Sequence, residues 1–293
     1  MQISKISIQD PQLPDSLRAL DDAPKSLNVL GELPKGIYVA IVGTRKPTAY
    51  GRQMTYELAR ELSRAGAVVV SGLAYGCDSI AHQAVIDAGG KTVGVLAHGL
   101  DRIYPASHRD LAKEILAYGG ALVSEYEPGT VPLQFRFIER NRIIAGLSQA
   151  VIVTEASARS GALFTANRAN LLGLSLMAVP GQVTNPNAAG PNNLIHQGAK
   201  IIRSAADAIV ELGFLAHEST PVPAASAEEA LILQLLGGST TANSDTLVEA
   251  SGLAPEKFAN IISLMEISGK VRNLGAGIGA AREVRPIRAV NHE

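Results

Sequence analysis

The chain has 293 residues, is 46% hydrophobic and carries a formal net charge of -1. That length and apolar content suffice for one sizeable domain plus a small one, and they exclude a disordered chain. Cys77 is the single cysteine, which excludes an internal disulfide. The scattered histidines His82, His98, His108, His196, His217 and His292 have no zinc-site spacing, so neither a metal nor a cofactor is expected.

Residues 1–36 hold short apolar anchors at Leu17, Leu20, Leu27, Val29 and Leu30 among turn-forming residues. They read as an extended N-terminal arm, or a strand that docks on the main domain. From Ile37 to Gly213 short continuous apolar runs alternate with amphipathic stretches. The runs are YVAIVG ending at Gly43, VVV at 68–70, TVGVL at 92–96, ALVS at 121–124, AVIVT at 150–154, SLMAV at 175–179 and KII at 200–202. Helices are predicted after Gly43 on Met54, Leu58, Leu62 and Ala65, around Asp78–Ala88, His108–Tyr118 and Ala162–Leu172, and over Ala205–Leu212. Such alternation implies a doubly wound, mostly parallel α/β sheet covered on both faces.

A Pro, Ser, Thr and Ala-rich segment at 214–226 reads as a linker. Beyond it, over 227–293, three helices are predicted at Ala227–Leu236, from a Ser244 cap to Ala250, and from Pro255. KVRNL, GAGIG and AAREV then read as strand, turn and strand, which is the order of a winged-helix domain. From Lys35 to Gly213 there are 17 Lys/Arg against 13 Asp/Glu, and from Ala227 to Glu293 6 against 8, so the larger part permits an anionic partner. The N-terminus MQISKISIQDPQ has no apolar run of signal-peptide length, and no apolar run approaches the roughly 20 residues of a membrane span. A cytoplasmic protein without a membrane partner is expected.

In doubly wound sheets ligands bind beyond the carboxyl ends of the strands. Three such loops carry unusual residues. GTRKPTAYG at 43–51 combines Gly43, Thr44 and Arg45 with a helix start, a geometry suited to phosphate but equally to an ordinary strand-to-helix turn. SGLAYGCDSIAH at 71–82 offers Ser71 and Gly72, with Asp78 as a helix cap and His82 as a structural hydrogen-bonding group. EASARSGALFTANRA at 155–169 brings Ser157, Ser160, Gly161 and Thr165 to another helix start. Its Glu155 is either a base or, as the absence of a partnered acid favours, a ligand of backbone N–H groups. Between the ALVS and AVIVT runs lies FRFIERNRIIA, 135–145, where Arg136, Arg140 and Arg142 alternate with apolar residues. Three guanidiniums and Asn141 suit phosphate oxygens, whereas an amphipathic surface helix would explain the same pattern.

Together these segments resemble the DNA-processing protein A family, DprA/Smf. The resemblance rests on IVGTR at 41–45, SGLAYGCDSIAH at 71–82, SEYEPGTVP at 124–132, RNRIIAGLS at 140–148, EASARSGALFTA at 155–166, AVPG at 178–181 and LIHQGA at 194–199. It implies an extended Rossmann-like domain in a non-catalytic protein that binds single-stranded DNA in a basic pocket, dimerises, protects incoming DNA, and helps load the RecA recombinase during natural transformation. The implied pocket residues are Gly43, Thr44, Arg45, Ser71, Gly72, Arg140, Asn141, Arg142, Ser160 and Gly161, with Lys200 beyond the last motif. Tyr75 stands where the family frequently has arginine and offers a ring for base stacking, as do Tyr50 and Phe135. Arg136 lies outside the family-like run and is either a surface charge or a ligand contact. Two other readings stay open: a nucleotide-binding phosphoribohydrolase-like enzyme with Glu155 in the site, and a winged-helix DNA-binding regulator. The PGG-containing signature of the former is absent, and the third helix of the latter carries Glu256 and Glu266 beside Lys257.

Overall fold

A computed structural model describes residues 2–214, 224, 226–236, 243–268, 270–273 and 278–280. It divides into two units, Met1–Leu215 and Ala216–Glu293. Most of the linker expected at 214–226 and most of AAREV lie outside the described residues.

The first unit runs β1 (Ile3–Ser7), α1 (Asp15–Arg18), β2 (Ser26–Gly31), β3 (Tyr38–Val42), α2 (Ala49–Arg64), β4 (Val68–Ser71), α3 (Cys77–Asp87), β5 (Thr92–Val95), α4 (Arg109–Ala117), β6 (Ala121–Ser124), α5 (Gln134–Gly146), β7 (Ala150–Val153), α6 (Ala162–Leu171), β8 (Ser175–Ala178), α7 (Ala189–His196), β9 (Lys200–Ile201) and α8 (Ala205–Glu211). Its strands form one sheet in the order β1-β2-β6-β5-β4-β3-β7-β8-β9. From β6 to β9 every pairing is parallel. The central strands β3 to β7 are buried at every residue, because helices cover both faces and leave no side for polar alternation. After β3 the chain winds outward one way through β4, β5 and β6, then crosses back to lay β7 on the other side of β3, with Val39 opposite both Val69 and Ala150. The strand order reverses there, between β3 and β7, and opens a crevice at their carboxyl ends.

α2 shows how the chain specifies its elements. The Thr48 side chain caps it by accepting from the Gly51 N–H, Met54, Leu58 and Leu62 turn inward at four-residue spacing, and Arg64 sits in the last turn.

The N-terminal residues do more than dock. β1 and β2 form an antiparallel hairpin, and β2 pairs antiparallel with β6, matching Val29 with Val123. Leu13, Leu17, Leu20, Leu27 and Val29 are buried in the main core. Burying those anchors requires the segment to extend the sheet, since β6 would otherwise expose an unpaired edge. The helix at Ala189–His196 has no counterpart among the elements expected from sequence. Its Gly, Pro and Asn content hides α7, yet Leu194 packs into the core and an Asn185 side chain accepting from Asn187 N starts the turn before it.

The second unit contains α9 (Ala227–Leu236), α10 (Ser244–Ser251), α11 (Pro255–Ile267) and an antiparallel pair, β10 (Val271–Asn273) with β11 (Ile278–Ala280). This is a winged-helix order. Ile232, Leu236, Leu247, Phe258, Ile262, Met265 and Val271 make its core. Two boundaries differ from expectation. Asn243, not Ser244, caps α10 by accepting from Asp245 N. Ile278 and Gly279, expected in the glycine turn, belong to the strand because Val271 pairs with Ala280 and Asn273 with Ile278.

Candidate anion-binding pocket at the sheet switch point

The crevice between β3 and β7 holds a cavity of about 590 Å³. Gly43, Thr44 and Arg45 enter it from the loop after β3, and Ser160, Gly161, Ala162 and Thr165 from the start of α6. Phe137, Ile138, Arg140 and Asn141 come from α5, Ala74 and Asp78 from the β4–α3 region, and Tyr104 and Pro132 from loops at the same end of the sheet.

The Gly43 loop is held tightly. Thr44 N–H donates to the Glu155 carbonyl at 2.6 Å, Cys77 N–H to the Thr44 carbonyl at 3.1 Å, and Lys46 N–H to the Thr44 hydroxyl at 3.2 Å. A Cβ on Gly43 would stand 2.5 Å from Cys77 Sγ and 2.9 Å from the Glu155 carbonyl oxygen, so the loop approaches α3 as closely as glycine allows. Glu155 is buried. It accepts from Thr48 N–H (2.8 Å), Thr48 Oγ1 (2.6 Å) and Asn185 Nδ2 (3.3 Å), which ties the start of α2 to the end of β7.

Arg140 differs most from its expected form. The sequence suggests an exposed forked donor, yet the side chain is 3% exposed. Nη1 donates to the carbonyls of Gly72 (2.7 Å) and Val95, and Nε to Asn141 Oδ1 (3.2 Å). Nη2 has no acceptor among the described residues, so Arg140 offers the pocket one nitrogen. Burial pushes its pKa down to about 10, opposed by the nearby Asp78 carboxylate. Asp78 is buried too, and its Oδ2 accepts from the N–H groups of Gly72 (3.1 Å) and Ala74 (3.4 Å). Burial pushes this carboxyl up, while Arg140 and the two N–H donors pull it down. Beneath them His82 shares Nδ1 with the Thr92 hydroxyl at 2.7 Å, and burial pushes its pKa down to about 3, so it stays neutral in a structural role.

Several residues expected in the pocket are elsewhere. Arg142 lies two residues beyond Arg140, about 200° around the helix, and so faces away from it. Its Nη2 lies 2.6 Å from Glu125 and its Nε 3.1 Å from Asp22, which clamps α5 to the N-terminal segment. Lys200 sits on the edge strand, paired with Glu211, and lines a separate cavity of about 390 Å³. Ser71 is fully buried and donates to the Ile41 carbonyl at 2.7 Å, bridging β4 and β3. Gly72 lies under the pocket floor, where its carbonyl holds Arg140 and its N–H holds Asp78. Gly43, Thr44, Arg45, Asn141, Ser160 and Gly161 do converge. Asn141 Nδ2 donates to the Gly161 carbonyl at 3.0 Å, and the Ser160 hydroxyl accepts from Ala162 N–H at 3.3 Å.

The aromatic wall is not among the residues expected from sequence. Phe137 and Tyr104 have ring centroids 5.7 Å apart, and the Arg45 guanidinium lies 5.5 Å over the Phe137 ring. Tyr50, Tyr75 and Phe135, the expected stacking residues, do not line the cavity. Tyr50 donates to the Pro180 carbonyl, and Tyr75 packs edge-on against His108 and bonds Ser107. Arg136 donates to the Val131 carbonyl and lies 5.2 Å over the Tyr126 ring. Tyr104 sits in a loop beyond the carboxyl end of β5, a position that the strand-end rule covers. Phe137 could not be assigned without the rotational phase of α5. No group of three or more potential metal-ligating side chains occurs among the described residues.

Fold and site define a class: a doubly wound α/β protein with a candidate anion cradle at its switch point, followed by a winged-helix unit. The profile of the family described as DNA recombination-mediator protein A matches residues 4–213, and that of the DprA winged helix domain matches 216–277. The chain belongs to this family, DprA/Smf. It is 46% identical over 213 residues to the DNA processing protein DprA of Bacillus subtilis, covering 72% of this chain and 71% of that one. The X-ray structure of DprA from Streptococcus pneumoniae superposes with a TM-score of 0.66 at 39% identity, covering 72% of this chain and 75% of the other. A Helicobacter pylori DprA structure, described in terms of its single-stranded DNA binding mode, gives 0.64 at 34% identity, covering 72% and 96%. The matched region begins at residue 4, so the β1–β2 hairpin is part of it.

Proposed function

We propose that the chain binds single-stranded DNA without catalysis, seating a backbone phosphate in the switch-point pocket and a base against Phe137 and Tyr104. The observation that carries this is a rim of exposed cations. Arg45, Lys46, Arg52 and Arg159 have no acidic partner within 4.0 Å among the described residues, and they sit on the loops and helix start that form this end of the sheet. Backbone donors and guanidiniums read phosphate and not sequence, so low sequence selectivity is expected. Glu155, the one candidate base, is committed to Thr48 and Asn185. Lys257 on α11 is paired with Glu228, which leaves that helix a poor groove-binding surface.

A binding titration with a single-stranded oligonucleotide tests the site. With about three phosphates neutralised, the slope of log affinity against log salt should be about -2. Arg45→Ala should weaken binding about tenfold and flatten the slope by about 0.7, since one phosphate contact is lost. A salt-independent affinity would contradict the proposal.

The proposal extends to a cytoplasmic homodimer that passes the bound strand to RecA recombinase. The family's description as a recombination mediator supports this step. No helix among the described residues is long and apolar enough to cross a membrane. Purified chain should accelerate RecA assembly on oligonucleotide already covered by a single-strand-binding protein. Unchanged assembly would remove the RecA step and leave DNA binding standing.

A further inference from the structure

Two helices start beside the cavity, α2 after β3 and α6 after β7, and they differ in what they still lack. At α2 the Thr48 N–H and hydroxyl both donate to the Glu155 carboxylate, at 2.8 and 2.6 Å, so that helix start already has its anion. α6 begins at Gly161 with no side-chain cap and no acidic residue in its first turn. Thr165, one turn in, is 1% exposed and lines the cavity, and its hydroxyl has no hydrogen-bond partner among the described residues. Of the buried side-chain polar atoms in that condition among the described residues, it alone belongs to the cavity lining. α2 shows what such a hydroxyl normally does. Thr55 follows Gly51 by four residues, as Thr165 follows Gly161, and the Thr55 hydroxyl donates to the Gly51 carbonyl at 2.7 Å. In α6 that acceptor is taken. The Gly161 carbonyl receives Asn141 Nδ2 at 3.0 Å and Phe164 N–H at 3.2 Å, which fills both of its lone pairs. An unpaired buried hydroxyl is costly, and here the open side is the cavity.

We infer that Thr165 is a ligand-binding residue of the pocket, its hydroxyl donating to a non-bridging oxygen of the phosphate that Arg140 Nη2 also serves. This role rests on the single-stranded DNA reading above and adds an uncharged donor to that site. A phosphodiester presents only acceptors, which suits a hydroxyl and a guanidinium nitrogen that both lack an acceptor within the described residues. The donor carries no charge, so its removal should weaken binding without changing the number of counterions released. It also has no bond to lose in the free chain, so its removal should cost no stability, the reverse of a structural threonine.

Thr165→Val keeps the shape and removes the hydroxyl, and the full chain carrying it is titrated with a fluorescent oligothymidylate and unfolded thermally. Affinity should fall about tenfold, the loss of one hydrogen bond to a charged group. The slope of log affinity against log salt should be unchanged, and the unfolding midpoint should stay level or rise. Thr165→Ser restores the hydroxyl and should bind within about threefold of wild type. An abasic deoxyribose-phosphate strand of the same length separates phosphate from base, and the same loss is expected on it. Thr55→Val supplies the structural contrast: its hydroxyl is bonded to Gly51 and Thr154, so the midpoint should drop. Wild-type affinity in a folded Thr165→Val overturns the inference, as does a lowered midpoint or an unfolded variant, since either shows the hydroxyl bonded within the protein. A loss confined to the base-bearing strand, or no wild-type binding to the abasic one, overturns the phosphate assignment. Failure of wild type to bind oligothymidylate at all would remove the proposed function, whereas wild-type binding with an unaffected variant removes Thr165 alone.

Discussion

Arg140→Ala is expected to lower the unfolding free energy by about 2–4 kcal/mol, the cost of leaving two buried carbonyls without a charged donor. The guanidinium is buried and satisfies two carbonyls, Gly72 from the end of β4 and Val95 from β5, besides Asn141 on its own helix. Its removal leaves those carbonyls without their donor. Denaturant unfolding measures the loss, and a change below about 1 kcal/mol would show that Arg140 is not a structural cation. Binding must be measured on the folded fraction, because lost affinity alone cannot separate a missing phosphate contact from a collapsed floor. Arg142 supplies the contrast. Its substitution by alanine removes the clamp to Glu125 and Asp22 and should also destabilise, while the folded protein binds DNA as before.

Gly43→Ala is expected to cost about 1–3 kcal/mol and to weaken DNA binding more than tenfold. The added methyl meets Cys77 at the start of α3 and the backbone oxygen of Glu155, neither of which can swing aside. The loop must back away, breaking the bond from Thr44 N–H to Glu155 or the bond from Cys77 N–H to Thr44. Either break moves Thr44 and Arg45 out of register with Asn141 and Gly161. Unfolding and oligonucleotide titration on one preparation check both parts. Native affinity in a destabilised variant would place the ligand elsewhere.

Much of the fold was legible because a strand covered on both faces must be apolar at consecutive positions. VVV at 68–70 and AVIVT at 150–154, short, β-branched and set between amphipathic helices, read as strands of that kind. The exceptions share a cause. β1, β2 and α7 are short and rich in polar or turn residues, so their order comes from contacts distant in sequence: Val29 against Val123, Leu194 in the shared core. Local propensity carries no record of such contacts.

The pocket divides the same way. The loops at Gly43 and Ser160 could be singled out from the sequence because ligands in doubly wound sheets collect beyond the carboxyl ends of the strands. FRFIERNRIIA could not be resolved, because its residues differ by rotation about a helix axis. The spacing puts Arg140 and Arg142 on nearly opposite sides, and the sequence does not say which side meets the sheet.

Local apolar pattern and strand order were thus enough for the alternating α/β architecture, the appended winged helix and the loops from which a phosphate site could be built. Which charges face that pocket was decided only by the folded chain. Arg140 is turned inward to the carbonyls of Gly72 and Val95 and set beside Asp78, Arg142 is committed to Glu125 and Asp22, and Phe137 is brought against Tyr104. The reason is that burial and pairing, not residue type, determine whether an arginine can reach a ligand, and both are set by partners far away in the chain.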